Sequence, residues 1–246
     1  MRSRPAALAA CLLTIGAAPA AAAAAPSIKV DRPCYADPSL REDRVKLSGT
    51  GFTPDATYQV TLDGKELPGG TGQVGKTGEL NGSFAAPQLS STLREHVYDV
   101  GVVEVPAANP GAPADPAAPP PPAPLSAVTQ FGVSRLTVGF RPATGNPRTL
   151  RVTYWLNGFS LQGRVTPTVY LHWIRPDGHL ERTSRLGTAL GACGSIGASA
   201  RQRLFPFMPQ RGRWRLQFDT SRAFRKGTKS SPFLFYAISV AVKPRA

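Results

Sequence analysis

The chain has 246 residues, and its 29 lysines and arginines against 15 aspartates and glutamates give a formal charge of +14. With only three cysteines it is neither a cysteine-dense disulfide scaffold nor a cysteine-ligated zinc module, which needs several clustered ligands. A charge of this sign and size points toward polyanions.

Arg2 and Arg4 precede an apolar run from Ala6 to Ala17, and small residues follow from Ala20 to Ala25. That order reads as a secretory signal peptide over 1–25, cut near Ala24 or Ala25. The run is too short and alanine-rich for a transmembrane helix, which takes ~20 strongly apolar residues. Leu8-Ala9-Ala10-Cys11 also matches a lipoprotein cleavage box, although a cut there leaves an apolar core of about five residues, below the usual ~7–15. The expectation is a secreted, extracellular or cell-envelope protein, soluble or peripherally held, with no transmembrane segment in the mature chain. Loss of the leader removes Cys11 and leaves Cys34 and Cys193. An oxidising compartment makes one bridge between them plausible, and two separate thiols are the alternative.

Residues 26–105 read as strands and turns. Arg44-Val-Lys-Leu-Ser-Gly, Tyr58-Gln-Val-Thr-Leu and His96-Val-Tyr-Asp-Val-Gly-Val-Val alternate with period two. Thr53-Pro-Asp-Ala56 and Asp63-Gly64 carry turn chemistry. The stretch VKLSGTGFTPDATYQVTLDGKEL resembles bacterial extracellular immunoglobulin-like domains of the IPT/TIG kind. It is also similar to the start of the neocarzinostatin-type chromoprotein apoproteins. That second family relies on two internal disulfides, which Cys34 alone cannot supply, so its carrier function is not transferred.

Residues 106–124 contain nine prolines, with most of the remainder alanine. Such a composition cannot form a core and predicts an extended Pro/Ala-rich linker over 106–125. A second β-sandwich is expected over 126–246. Its strands are Arg135–Phe140, Arg151–Leu156, Thr168–Ile174, Leu180–Leu186, Arg201–Phe205, Trp214–Phe218 and Phe233–Val242, with a hairpin turn at Arg175-Pro-Asp-Gly178. Trp214, Leu216 and Phe218 alternate with Arg213, Arg215 and Gln217, which predicts one buried and one basic face. The last strand is apolar on both faces and is expected at the centre of its sheet or covered on both sides. Tyr170-Leu-His-Trp, Arg185-Leu-Gly, Gly191-Ala-Cys-Gly, Leu204-Phe-Pro-Phe and Gly212-Arg-Trp-Arg-Leu-Gln-Phe-Asp resemble a group of secreted proteins of high-GC Gram-positive bacteria of unknown function. The resulting fold class is all-β, two immunoglobulin-like β-sandwich domains joined by the linker.

Three patterns resemble chemistry. Gly70-Thr-Gly-Gln-Val-Gly-Lys76-Thr77 fits the P-loop pattern at each position. A working P-loop opens a helix, and Gly78-Glu-Leu-Asn-Gly does not start one. Lys76-Thr77-Gly78 is a triplet of penicillin-interacting enzymes, without their Ser-x-x-Lys partner. His172, His179 and Glu181 could approach across the hairpin as a weak metal site, and Cys193 could be a nucleophile. The bland alternative for each is a packed or solvated strand residue, and for Cys193 a disulfide half. No catalytic, cofactor or metal residue is therefore assigned.

Charge distribution carries more information. Residues 26–105 hold eight basic and eleven acidic side chains, and residues 126–246 hold nineteen basic and three acidic, a net −3 against +16. The sequence therefore predicts a non-catalytic protein whose basic half docks on an anionic cell-wall polymer or membrane surface. Arg203, Arg211, Arg213, Arg215, Arg222, Arg225 and Lys226 are its candidate patch. No recognition helix or RNA-binding motif supports a specific nucleic-acid partner. A small-molecule carrier or inhibitor using a sandwich crevice, and a hydrolase at Cys193 or at His172 and His179, are the alternatives.

Overall fold

A computed structural model describes residues 25–105 and 123–244. The expected signal peptide and the body of the proline-rich run lie outside them. The chain is all-β, with fifteen strands and no helix among the described residues. None is therefore a helix long and apolar enough to cross a membrane.

Strands β1 (Ser27–Val30), β3 (Arg44–Thr50) and β6 (Leu80–Ala85) form one antiparallel sheet in the order β1-β3-β6. It packs on a five-stranded sheet of β2 (Cys34–Ala36), β8 (Ser126–Ser134), β7 (Glu95–Val105), β4 (Thr57–Leu62) and β5 (Lys65–Gln73), ordered β2-β8-β7-β4-β5. The period-two pattern decides this. Val45, Leu47 and Leu80 point from the first sheet into the core shared with Val60, Val100, Val102, Phe131 and Val133 of the second. Asp63 and Gly64, at φ 48° and 75°, close the β4–β5 hairpin in the conformation such a two-residue turn requires.

The expected division at 126 falls inside this sandwich. Strand β8 pairs with β7, Val103 lying opposite Ser126, and runs parallel to β2. The proline-rich run thus leaves and re-enters a single β7–β8 hairpin and does not join two domains. The chain crosses between sandwiches at Arg135 and Leu136, directly after β8. The short apolar stretch Ser126–Ser134 has no ionisable side chain, so reassigning it leaves the charge contrast intact.

The second sandwich sets β13 (Gln202–Arg203), β10 (Arg151–Asn157) and β9 (Thr137–Arg141) against β12 (Leu180–Thr188), β11 (Thr168–Ile174), β14 (Gly212–Asp219) and β15 (Phe235–Val242). Val152, Tyr154 and Leu156 meet Leu171, Trp173, Trp214, Leu216 and Phe218 in its core. The two buried indoles keep their N–H groups satisfied, Trp173 donating to the Leu204 carbonyl at 2.8 Å and Trp214 to that of Gln210 at 2.9 Å. Strand β15 is at the edge of its sheet, contrary to the central position expected. Its outward residues Ala237, Ser239 and Ala241 are exposed. They are small enough that solvent contact exposes little apolar area.

The sandwiches share a bonded junction. Cys34 of β2 and Cys193, in the β12–β13 connection, are joined as a disulfide, with Ala36 and Leu161 buried beside it. Gly132 is needed there because a Cβ would collide with the Cys193 sulfur. The buried carboxylate of Asp37 accepts from the Ser39 hydroxyl and the Leu89 amide and pairs with Arg135 at 3.4 Å. Burial alone would raise its pKa, but these donors outweigh it and hold the carboxyl below the usual range. Arg94 lays its guanidinium 3.7 Å over the Trp155 ring, and Ser195 donates to Glu95.

Candidate functional site

The outer face of β14 differs from its sequence pattern. Arg213, Arg215, Gln217 and Asp219 all point away from the core, yet Gln217 and Asp219 are fully buried. Residues 220–234, between β14 and β15, fold back across them. Gln217 donates to the Arg225 carbonyl at 2.7 Å and accepts from the Gly227 amide at 2.9 Å. Asp219 accepts from the Ser221 amide at 2.8 Å, from Gln217 at 2.9 Å and from His172 Nε2 at 3.2 Å. His172, itself fully buried, reaches the Thr183 hydroxyl through Nδ1 at 2.8 Å and packs against Phe224. Arg215 donates to the Gly227 carbonyl at 2.6 Å. The loop is thus tied down at 221, 225 and 227 by side chains from beneath.

Beside this network opens a polar cleft of about 460 Å³. Its walls include Gln162 and Arg164 from the β10–β11 connection, Tyr170 of β11, and Ser221, Arg222, Arg225 and Phe233 from the loop. Arg164 donates to the Thr220 hydroxyl at 3.2 Å, and the Arg225 guanidinium lies 4.6 Å over the Phe233 ring. None of the three arginines forms an ion pair among the described residues. Of the three acids of this half, only Asp219 lines the cleft, and none of the three pairs with these arginines. Asp177 and Glu181 lie beside Arg175, each at 3.6 Å, and Asp219 is spent on the network.

The seven residues of the expected patch do not gather on one face. Arg203 lies on β13 opposite Arg151, on the other sheet. Arg211 and Arg213 sit at the start of β14, ~20 Å from Asp219 at ~3.3 Å per residue. Arg215 is half-buried and structural. Arg222 and Arg225 line the cleft, and Lys226 is exposed beside them. Arg164 was not singled out by sequence because it stands alone in its loop; only the fold brings it to the other two.

The chemistry-like patterns come apart. His172 is buried against Thr183 and Asp219, whereas His179 is exposed in the hairpin turn beside Glu181, so the three do not converge. No cluster of metal-ligating side chains occurs among the described residues. His172 with Asp219 has the composition of a base and its orienting acid. It faces the carbonyl of Ser221, however, while the Ser221 hydroxyl donates to Ala223, so no nucleophile is presented. Cys193 is a disulfide half. Gly70–Thr77 comprises the end of β5 and a turn closed by the Gly75 and Gly78 amides, with no helix to bind phosphate.

No family model matches the chain, and no curated protein matches it. Among solved structures it is similar to the D0-D1 domain of intimin, at 8% identity and TM-score 0.29, covering 87% of this chain and 96% of that one. It is also similar to red sea bream transglutaminase, at 13% identity and TM-score 0.28, covering 89% of this chain and 31% of that one. Both scores are low, and the all-β assignment rests on the strands and sheets themselves.

Proposed function

We propose that this is an exported, non-catalytic protein whose basic sandwich docks on an anionic polymer of a cell envelope or extracellular surface. The first sandwich serves as a spacer or partner-binding module. One observation carries the reading: apart from Arg135, paired with Asp37, and Arg175, beside Asp177 and Glu181, the arginines of the second half form no ion pair among the described residues. Arg148 donates to the carbonyls of Pro209 and Lys243, Arg164 to Thr220 and Arg215 to Gly227. Such bonds satisfy guanidinium donors without neutralising them, so most of the positive charge of this half is left uncompensated. The immunoglobulin-like character of the sandwiches belongs to the same proposal, supported in the first by the 3+5 sheets and the parallel β2–β8 pair. Burial of His172 and oxidation of Cys193 favour docking over hydrolysis.

The test is retention of the purified protein on cell-wall preparations. Binding at about 50 mM salt that is lost by about 0.3 M is expected, because exposed charge pairs are screened over that range. Absence of binding at low salt contradicts the reading.

A further inference from the structure

We infer that the cleft of Arg164, Arg222 and Arg225 is a pocket for the phosphate group of a polyol phosphodiester chain, an inference that rests on the docking reading. Three guanidiniums arrive from two connections far apart in sequence, and among the described residues none forms an ion pair; the Asp219 carboxylate in the same lining is held by His172, Gln217 and the Ser221 amide. A planar carboxylate is satisfied by one bidentate arginine. Three arginines around one space suit a tetrahedral group whose oxygens accept from several directions.

Around them stand the amide of Gln162 and the hydroxyls of Tyr170 and Ser221, groups suited to the alcohol units on either side of a phosphodiester. The cleft, about 460 Å³, lies within the ~300–1,000 Å³ typical of small-ligand sites. It is also built in advance. Gln217 and Asp219 bond the backbone at Arg225 and Ser221, so the main chain that carries the two loop arginines is fixed before a ligand arrives. A membrane headgroup fits less well, because insertion needs apolar anchors. Phe233 lies beneath Arg225, and among the described residues Val165 is the only exposed large apolar residue next in sequence to a cleft arginine.

The experiment titrates the full mature chain with soluble poly(glycerol phosphate), polygalacturonate of matched charge and phosphatidylglycerol vesicles, at about 50 mM salt. The wild type is expected to prefer the phosphate polymer. R222A/R225A should lose at least tenfold in affinity for it, with a salt slope shallower by about 0.7–0.9, the share of the one phosphate the pocket holds. R211A/R213A, at the far end of β14, should lower affinity for both polymers and leave the preference unchanged. Tryptophan fluorescence unfolding verifies that each variant is folded. An unchanged affinity in R222A/R225A, or equal binding of polygalacturonate, overturns the pocket and leaves general docking standing. Cleft-dependent binding to vesicles without binding to the polymer overturns the polymer assignment. Failure of the wild type to bind any of the three removes the docking reading, and the pocket with it.

Discussion

The two sandwiches pin their loops with opposite charges. In the first, carboxylates accept from nearby donors: Asp31 from the Tyr35 hydroxyl and the Lys46 amide, Asp43 from Arg41 and the Ala36 amide, Glu104 from the Thr53 amide. In the second, arginines donate to backbone carbonyls, as Arg148 and Arg215 do. Both devices satisfy polar groups. The carboxylates of the first half share it with eight cations, whereas the arginines of the second meet only three acids. The same structural task therefore leaves one surface near neutrality and the other strongly positive.

The largest effect is expected where the second half breaks its own pattern and relies on an acid. Asp219→Ala removes the acceptor shared by His172, Gln217 and the Ser221 amide in a fully buried site. It should cost about 2–5 kcal/mol. All three tryptophans, Trp155, Trp173 and Trp214, belong to the second sandwich, so fluorescence-monitored denaturation reads this half by itself. Replacing both cysteines, C34S/C193S, should come next. The bridge closes a loop with a sequence separation of 159 residues, and its loss should cost about 2–5 kcal/mol. Tyrosine and tryptophan signals are expected to coincide in the wild type and to separate in this variant as the sandwiches unfold independently.

Acid should act first on the negative half and the junction. The carboxyls of Asp37 and Asp43 are held below their ordinary range in the folded state. A depressed folded pKa contributes stability that is complete above the unfolded value, near 4, and disappears as pH falls through the folded one. Denaturation midpoints should therefore drop from about pH 4 downward. Asp37→Asn should cost about 1–3 kcal/mol at neutral pH and flatten that dependence. The smallest effect belongs to Arg94→Ala, which removes the stacking of the first sandwich on Trp155 and should cost about 0.5–1 kcal/mol.

Much of this architecture was legible locally. Alternation of apolar and polar residues located β3, β4, β7 and most strands of the second sandwich, with Thr168–Ile174 matching β11 end to end. Partner choice was not legible. Nothing in Ser126–Ser134 says that it pairs with β7 rather than with the strands that follow it, and composition alone made the proline-rich run look like a spacer. The arginine cleft was half visible, in Arg222 and Arg225. Its third arginine and its buried footing required tertiary contacts. Alternation puts Gln217 on the solvent side of its strand, and a folded-back loop buries it, with Asp219 beyond it, without changing its direction. His172 was read near His179 by hairpin proximity, whereas the β11–β12 register sets it opposite Thr183.

Docking by unneutralised arginines is tested most directly by the salt dependence of binding between residues 26–246 and an immobilised phosphodiester polymer. Measurable affinity at about 50 mM salt and a linear fall of log K with log salt concentration are expected. The slope should correspond to several released counterions and become about 0.7–0.9 shallower in R222A/R225A. No affinity at low salt, or an affinity that salt leaves unchanged, would contradict it.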